Sequence, residues 1–330
     1  MRRRLIVSAL RAGRYEMAAK VLGRRDPFKQ TALMRAIDLV VTAARWDDLP
    51  RLAPLARRAP PYAARIWWAM SLWHTSRPQA EDAFARLGSD HGEHGFNRMG
   101  ARAWAMFLSL PRACDTVTKS GQSPSVFQFW DAAPPPEIAT EMAVWQNATP
   151  LGYVAYDLET AAAYIAAHAG QAEATLFRNA PHAAIQSDYF RLCRIMAEGG
   201  MYVDADGRMQ PDHAAFRADI SGQTAIWFRT RETALSIANC LISAPPAAPL
   251  ITHAFEEAGR RLADPTPRHV FEYAGPTLLT QTALRLHEEG ALGPVVTLTD
   301  DEVSRRAMTQ IDAPYKKDTR NWRIWQDQRP

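Results

Sequence analysis

Residues 185–206 read IQSDYFRLCRIMAEGGMYVDAD, and the fold turns on them. Ile185, Tyr189, Leu192 and Met196 recur at helical spacing, and Gly199-Gly200 stops the pattern. Met201-Tyr202-Val203 is a short apolar run that reads as a buried strand, and it leads straight into Asp204-Ala205-Asp206. The helical spacing sets Asp188 and Arg191 on one face. A helix, a tight glycine exit and a buried strand are α/β grammar, and in such sheets ligands bind outside the carboxyl ends of the strands.

The same grammar extends both ways from this segment. Residues 125–129, 152–156, 224–228 and 240–243 read as strands, and residues 135–147 and 158–169 as helices. Ile138, Met142 and Trp145 share a face of the first helix. The expectation for residues 116–330 is an α/β domain with a largely parallel sheet, entered through a polar linker at 116–124. Residues 1–115 read as helical throughout. Tyr15, Ala18, Ala19 and Leu22 form one stripe, Leu33, Ile37, Val40 and Val41 a second, and Ala80, Ala83, Phe84 and Leu87 a third. Polar openers at Arg14, Arg45 and Arg77 recur 31 and 32 residues apart, the period of stacked helical hairpins of the tetratricopeptide type. An irregular helical bundle fits the pattern as well. Trp67, Trp68 and Trp73 are expected to fill this helical core.

Composition narrows the functional class. Residues 1–70 carry 15 Lys and Arg against 5 Asp and Glu, a net of +10 in a chain whose total is +4, so the remainder holds −6. A basic N-terminal region suits solvated helix faces or peripheral contact with an anionic membrane. No aromatic-and-basic nucleic-acid signature is present, so nucleic acid is not an expected partner. Cys114, Cys193 and Cys240 are far apart and form no CxxC pattern, which fits reduced thiols and a cytoplasmic setting. Cys193 and Cys240 lie in apolar runs and read as core residues. The apolar run after Met1 breaks at Arg11 and Arg14, too soon for a signal peptide, and no uninterrupted apolar stretch of about 18 residues predicts a membrane span.

The chemistry is expected at Asp204 and Asp206. Two carboxylates at the tip of a buried strand are costly unless they share a cation. On an extended chain they point to opposite faces, so one is expected to take the metal while the other orients ribose or a metal-bound water. Hard oxygen ligands suit Mn2+ or Mg2+. A calcium loop is a poor alternative, because Gly207 comes too early and Ala215 stands where that loop needs Glu.

These residues also carry a resemblance. Ser187-Asp188-x-x-Arg191 followed by Gly199-Gly200-x-Tyr202-x-Asp204-x-Asp206 resembles the signature of the DXD sugar-binding glycosyltransferases, which include fungal initiating α-1,6-mannosyltransferases and α-1,4-galactosyltransferases. The run ending at Trp130, then Trp145, Asn147, Pro150 and Tyr153, then Asn239 and Gly275-Pro276, resemble further landmarks, so the likeness covers residues 124–322. Phe127 stands where the family often has His. Tyr315-Lys316-Lys317 and Asn321-Trp322 occupy the region of its C-terminal His pair and Ser-Trp. The resemblance implies a GT-A type fold and a metal-dependent retaining hexosyltransferase. Its donor would be a nucleoside-diphosphate sugar and its acceptor a glycan, a lipid-linked sugar or a protein. It places Trp130 beside the nucleobase and Asp188 and Arg191 on the donor sugar or diphosphate. Asp204 would contact ribose or sugar, and Asp206 would ligate the metal. Tyr202, Asn239 and Trp322 join the substrate-binding set. The competing expectation is a helical-repeat interaction protein whose transferase-like domain has lost catalysis.

Overall fold

The structure is a computed structural model that describes residues 2–22, 29–42, 45–73, 75–90, 95–113, 123–150, 152–231, 234–318 and 320–328. Cys114 and all of the 116–124 linker except residues 123 and 124 fall outside them.

The chain forms two compact units. The first comprises Met1–Ser109 with Phe228–Ser236 and Thr299–Asp301. Its helices are α1 (Arg2–Arg11), α2 (Tyr15–Val21), α3 (Lys29–Thr42), α4 (Ala53–Ala56), α5 (Pro61–Leu72), α6 (Arg77–Ser89) and α7 (Gly95–Ser109). All twelve residues of the three apolar stripes are buried, so helical periodicity located this core correctly. The tryptophans divide differently from the expectation. Trp73 is buried against Phe84, but Trp68 leaves 54% of its surface exposed. On α5, Trp68 follows Trp67 directly, and adjacent helical residues face different ways, so only part of a Trp-Trp pair can enter the core.

The second unit comprises Leu110–Trp227, Ile237–Leu298 and Glu302–Pro330. The strands are β1 (Val126–Phe129), β2 (Tyr153–Tyr156), β3 (Gly200–Val203), β4 (Gly207–Met209), β5 (Thr224–Arg231), β6 (Ala234–Ala244), β7 (Val295–Leu298) and β8 (Met308–Gln310), and all lie in the second unit except the Phe228–Ser236 part of β5 and β6. The main sheet runs β2-β1-β3-β6-β5-β7. Strand β1 is parallel to β2 and β3, β5 is parallel to β7, and β3 is antiparallel to β6. The fold is thus mixed α/β around a six-stranded sheet. Its helices are α8 (Pro136–Ala148), α9 (Leu158–His168), α10 (Gln171–Asn179), α11 (Ala183–Glu198), α12 (His213–Asp219), α13 (Pro249–Ala263), α14 (Val270–Tyr273) and α15 (Pro276–Glu288), with a short helix at Trp322–Asp327. Cys193 and Cys240 are both buried, and burial pushes the Cys193 thiol up to about 12. No helix of the described residues is long and apolar enough to cross a membrane.

The di-glycine exit positions the site. Gly199 and Gly200 have φ of 69° and 111°, a region that L side chains avoid. A Cβ on Gly200 would lie 2.9 Å from Ser125 Oγ, and one on Gly199 would lie 2.9 Å from the Ala244 carbonyl. Only glycines let α11 turn back so abruptly into the middle of the sheet. The reversal lays one face of α11 beside β3.

Candidate active site

Helix α11 brings Ser187, Asp188 and Arg191 to the point where β3 delivers Tyr202 and Asp204. Arg191 is the hub. Its Nη2 lies 2.9 Å from Asp188 Oδ1 and 3.3 Å from Asp204 Oδ1. The same nitrogen donates to Ser187 Oγ at 2.7 Å and to the Tyr202 hydroxyl at 3.2 Å. Nε donates to the Ser187 carbonyl at 3.1 Å, and Nη1 donates to the Asn239 carbonyl. The guanidinium also stacks 4.0 Å over the Tyr202 ring. With a side chain 4% exposed, Arg191 is no surface ion pair. Its hydrogen bonds go to protein oxygens on three elements, so it holds the carboxylates in place.

Asn239, on β6 beside β3, donates from Nδ2 to Asp188 Oδ1 at 2.8 Å. Gly275 backs the other oxygen, because a Cβ there would lie 2.8 Å from Asp188 Oδ2. Burial raises the pKa of Asp204, Arg191 opposes the rise, and the Asp206 charge adds to it. Burial likewise raises the Tyr202 phenol. Asp188, Arg191, Tyr202, Asp204 and Asn239 thus meet in one array at the carboxyl end of β3.

Asp206 sits past the strand end, in a tight turn closed by Gly207 N–H to the Asp204 carbonyl at 2.8 Å. Trp145 Nε1 donates to the Gly207 carbonyl at 2.7 Å, and Gln128 Nε2 donates to the Asp204 carbonyl at 3.2 Å. The turn leads into β4, which pairs antiparallel with β8. That pairing draws the C-terminal segment onto the acidic turn. Lys316 Nζ reaches Asp206 Oδ2 at 2.7 Å, and the Tyr315 hydroxyl donates to the same oxygen at 2.9 Å. Gln310 Nε2 donates to Asp204 Oδ2 at 3.4 Å. Burial, with the Asp206 charge next, raises the Tyr315 phenol.

Two sequence-assigned aromatics lie away from the Arg191 hub. Trp130 meets Tyr315 edge-on with ring centroids 5.2 Å apart, which ties it to the Asp206 side of the site. Trp322 packs on Phe271 at 4.5 Å, in a separate cluster with Tyr273 and Trp325. Lys316 is the charged side chain at the acidic turn that periodicity could not assign. It was visible ahead of Asn321-Trp322, but a three-residue pairing of β8 with β4 leaves no sequence pattern to place it.

The charge of the acidic turn is met within the chain, where the Lys316 ammonium stands against Asp206. Among the described residues, no group of three or more Asp, Glu, His or Cys is gathered to hold an ion alone. One or two carboxylates completed by a ligand's own phosphates is the usual way a protein binds Mg2+. Asp206, with Asp204 beside it, would hold a divalent ion here only with further oxygens from a ligand.

No family model matches the chain, and no curated protein matches it. Five chains of solved structures show similarity, among them one described as PaToxG Glycosyltransferase. It is 13% identical with a TM-score of 0.30, over 76% of this chain and 95% of that one. A likeness at that level carries no functional information.

Proposed function

We propose that the chain transfers a hexose from a nucleoside-diphosphate sugar to a hydroxyl of a glycan, a lipid-linked sugar or a protein. The observation that carries this reading is the Arg191-centred array, with Asp188 and Asp204 fixed at the carboxyl end of β3 beside Asp206. Fixed carboxylates accept hydrogen bonds from sugar hydroxyls, and their second-neighbour partners remove the reorganisation cost of binding. Asp188, oriented by Asn239, and Asp204 take the donor sugar or ribose. Arg191 and Tyr202 position them. Trp130 is assigned to the base, and Trp322 to substrate contact farther out.

The bond that breaks joins sugar C1 to the phosphate oxygen, and its electron pair leaves with the diphosphate. The acceptor oxygen bonds to C1 on the face the diphosphate vacates, so anomeric configuration is retained. The acceptor proton passes to the departing phosphate oxygen. Asp206, with Asp204 beside it, would hold Mn2+ or Mg2+, and the ion when bound supplies positive charge opposite the developing diphosphate charge.

A thermal-shift screen of nucleoside-diphosphate sugars with manganese tests the reading. A ligand at 100 times its dissociation constant stabilises the folded chain by about 2.7 kcal/mol. One sugar nucleotide is expected to raise the melting temperature beyond its bare nucleoside diphosphate, and Asp188→Asn to erase the difference. If no sugar nucleotide stabilises the wild-type chain, the reading fails.

A further inference from the structure

The Lys316–Asp206 pair has a second use. We infer that Lys316 is an exchangeable counter-ion: it neutralises Asp206 in the empty site, then moves its charge to the diphosphate when a divalent ion takes that carboxylate. The inference rests on the diphosphate-donor reading above.

The Asp206 side chain is 5% exposed, and an ionised carboxylate so enclosed needs a partner before any ligand arrives. Lys316 Nζ at 2.7 Å and the Tyr315 hydroxyl at 2.9 Å, both on Oδ2, supply it. The lysine is less enclosed than its partner, with a quarter of its side chain exposed. Its ammonium has three hydrogens. Asp206 and the Ile311 carbonyl take two, which leaves one for an incoming oxygen.

The backbone around Lys316 is fixed, while its head group is carried on a flexible four-carbon stem. Asn321 Nδ2 donates to the Lys316 carbonyl at 2.6 Å, and Lys316 N–H donates to the Ala313 carbonyl at 3.1 Å. Ile311 N–H donates to the Asp206 carbonyl at 2.9 Å, so the segment keeps its register on the acidic turn. A lysine side chain anchored in this way changes partner by rotating its own stem.

Charge balance sets the direction of the exchange. Asp188, Asp204 and Asp206 outnumber Arg191 and Lys316, and Arg191 is spent inside the protein. A diphosphate entering alone would meet excess negative charge. A divalent ion entering alone would have to compete with an ammonium for Asp206. Ion and diphosphate together resolve both conflicts, because the ion takes the carboxylate and the released ammonium meets the phosphates. The two ligands must therefore bind with positive coupling, and by linkage each must tighten the other equally.

The test uses the full chain, manganese and inorganic pyrophosphate, which carries no base or sugar. Calorimetry on the wild-type chain is expected to show weak manganese binding alone, tightened at least about tenfold by pyrophosphate. In Lys316→Gln, manganese alone is expected to bind at least about tenfold tighter than in the wild type, and the coupling to pyrophosphate to shrink. Independent binding of the two ligands to the wild type overturns the inference without any variant. So does a Lys316→Gln chain, folded by circular dichroism, whose manganese affinity and coupling match the wild type. If the exchange is seen and no nucleoside diphosphate competes with pyrophosphate, the exchange stands and the sugar-donor reading falls.

Discussion

Arg191 and Lys316 divide the two tasks a cation performs in such a site. Arg191 is sealed in, and its planar fork organises oxygens from α11, β3 and β6. Lysine cannot reproduce that fork. Arg191→Lys is therefore expected to destabilise the fold by about 2–3 kcal/mol, the worth of lost hydrogen bonds to a charged group, as well as impair the site. Urea unfolding of the variant measures this, and a change below about 0.5 kcal/mol, the range of ordinary surface substitutions, would return Arg191 to the surface. Asp188, Arg191, Tyr202 and Asp204 were legible in the sequence because a helical interval and one short strand fix them locally. The partnership of Lys316 with Asp206 was not, since it depends on β8 crossing to β4.

The elements that sequence located are those with a period and a stop signal. Helix α11 shows both, in its apolar stripe and in Gly199-Gly200. Strand β1, at Val126–Phe129, is buried along its whole length, and its valine and two phenylalanines marked it although Gln128 interrupts the apolar run. Strands β4 and β8 have three residues each, too few for alternation to register. The start of α15 shows how one element serves another. Gly275 is its N-cap, and a Cβ there would lie 2.8 Å from Asp188 Oδ2 and 3.0 Å from Phe271 Cα. Gly275→Ala is expected to cost about 1–3 kcal/mol through overpacking and to weaken donor binding by displacing Asp188. Thermal unfolding with and without the donor measures both effects. Unchanged donor affinity in this variant would separate α15 from the site.

At the scale of the whole molecule, the helical unit is not a simple N-terminal appendage. It includes Phe228–Ser236 and Thr299–Asp301, from segments that sequence reading assigned wholly to the α/β part. Phe228 is 1% exposed and meets Phe107 edge-to-face at 5.1 Å within that unit. Leu235 is 2% exposed. A chain starting at Leu110 loses Phe107 and uncovers Phe228, at about 1.5–3 kcal/mol for a large apolar side chain. It is expected to be insoluble or to melt well below the full chain. A monomeric truncation with the full chain's melting temperature would contradict this. Helical periodicity could not reveal the sharing, because β5 and β6 read alike whichever unit covers their far ends.

The most direct test of the central claim is release of nucleoside diphosphate from the stabilising sugar nucleotide, with manganese present, by the full chain and by Asp206→Asn. The account predicts measurable turnover by the wild type, with the sugar retained in its anomeric configuration on the acceptor or on water, and none by the variant. Equal turnover by the two proteins would contradict it.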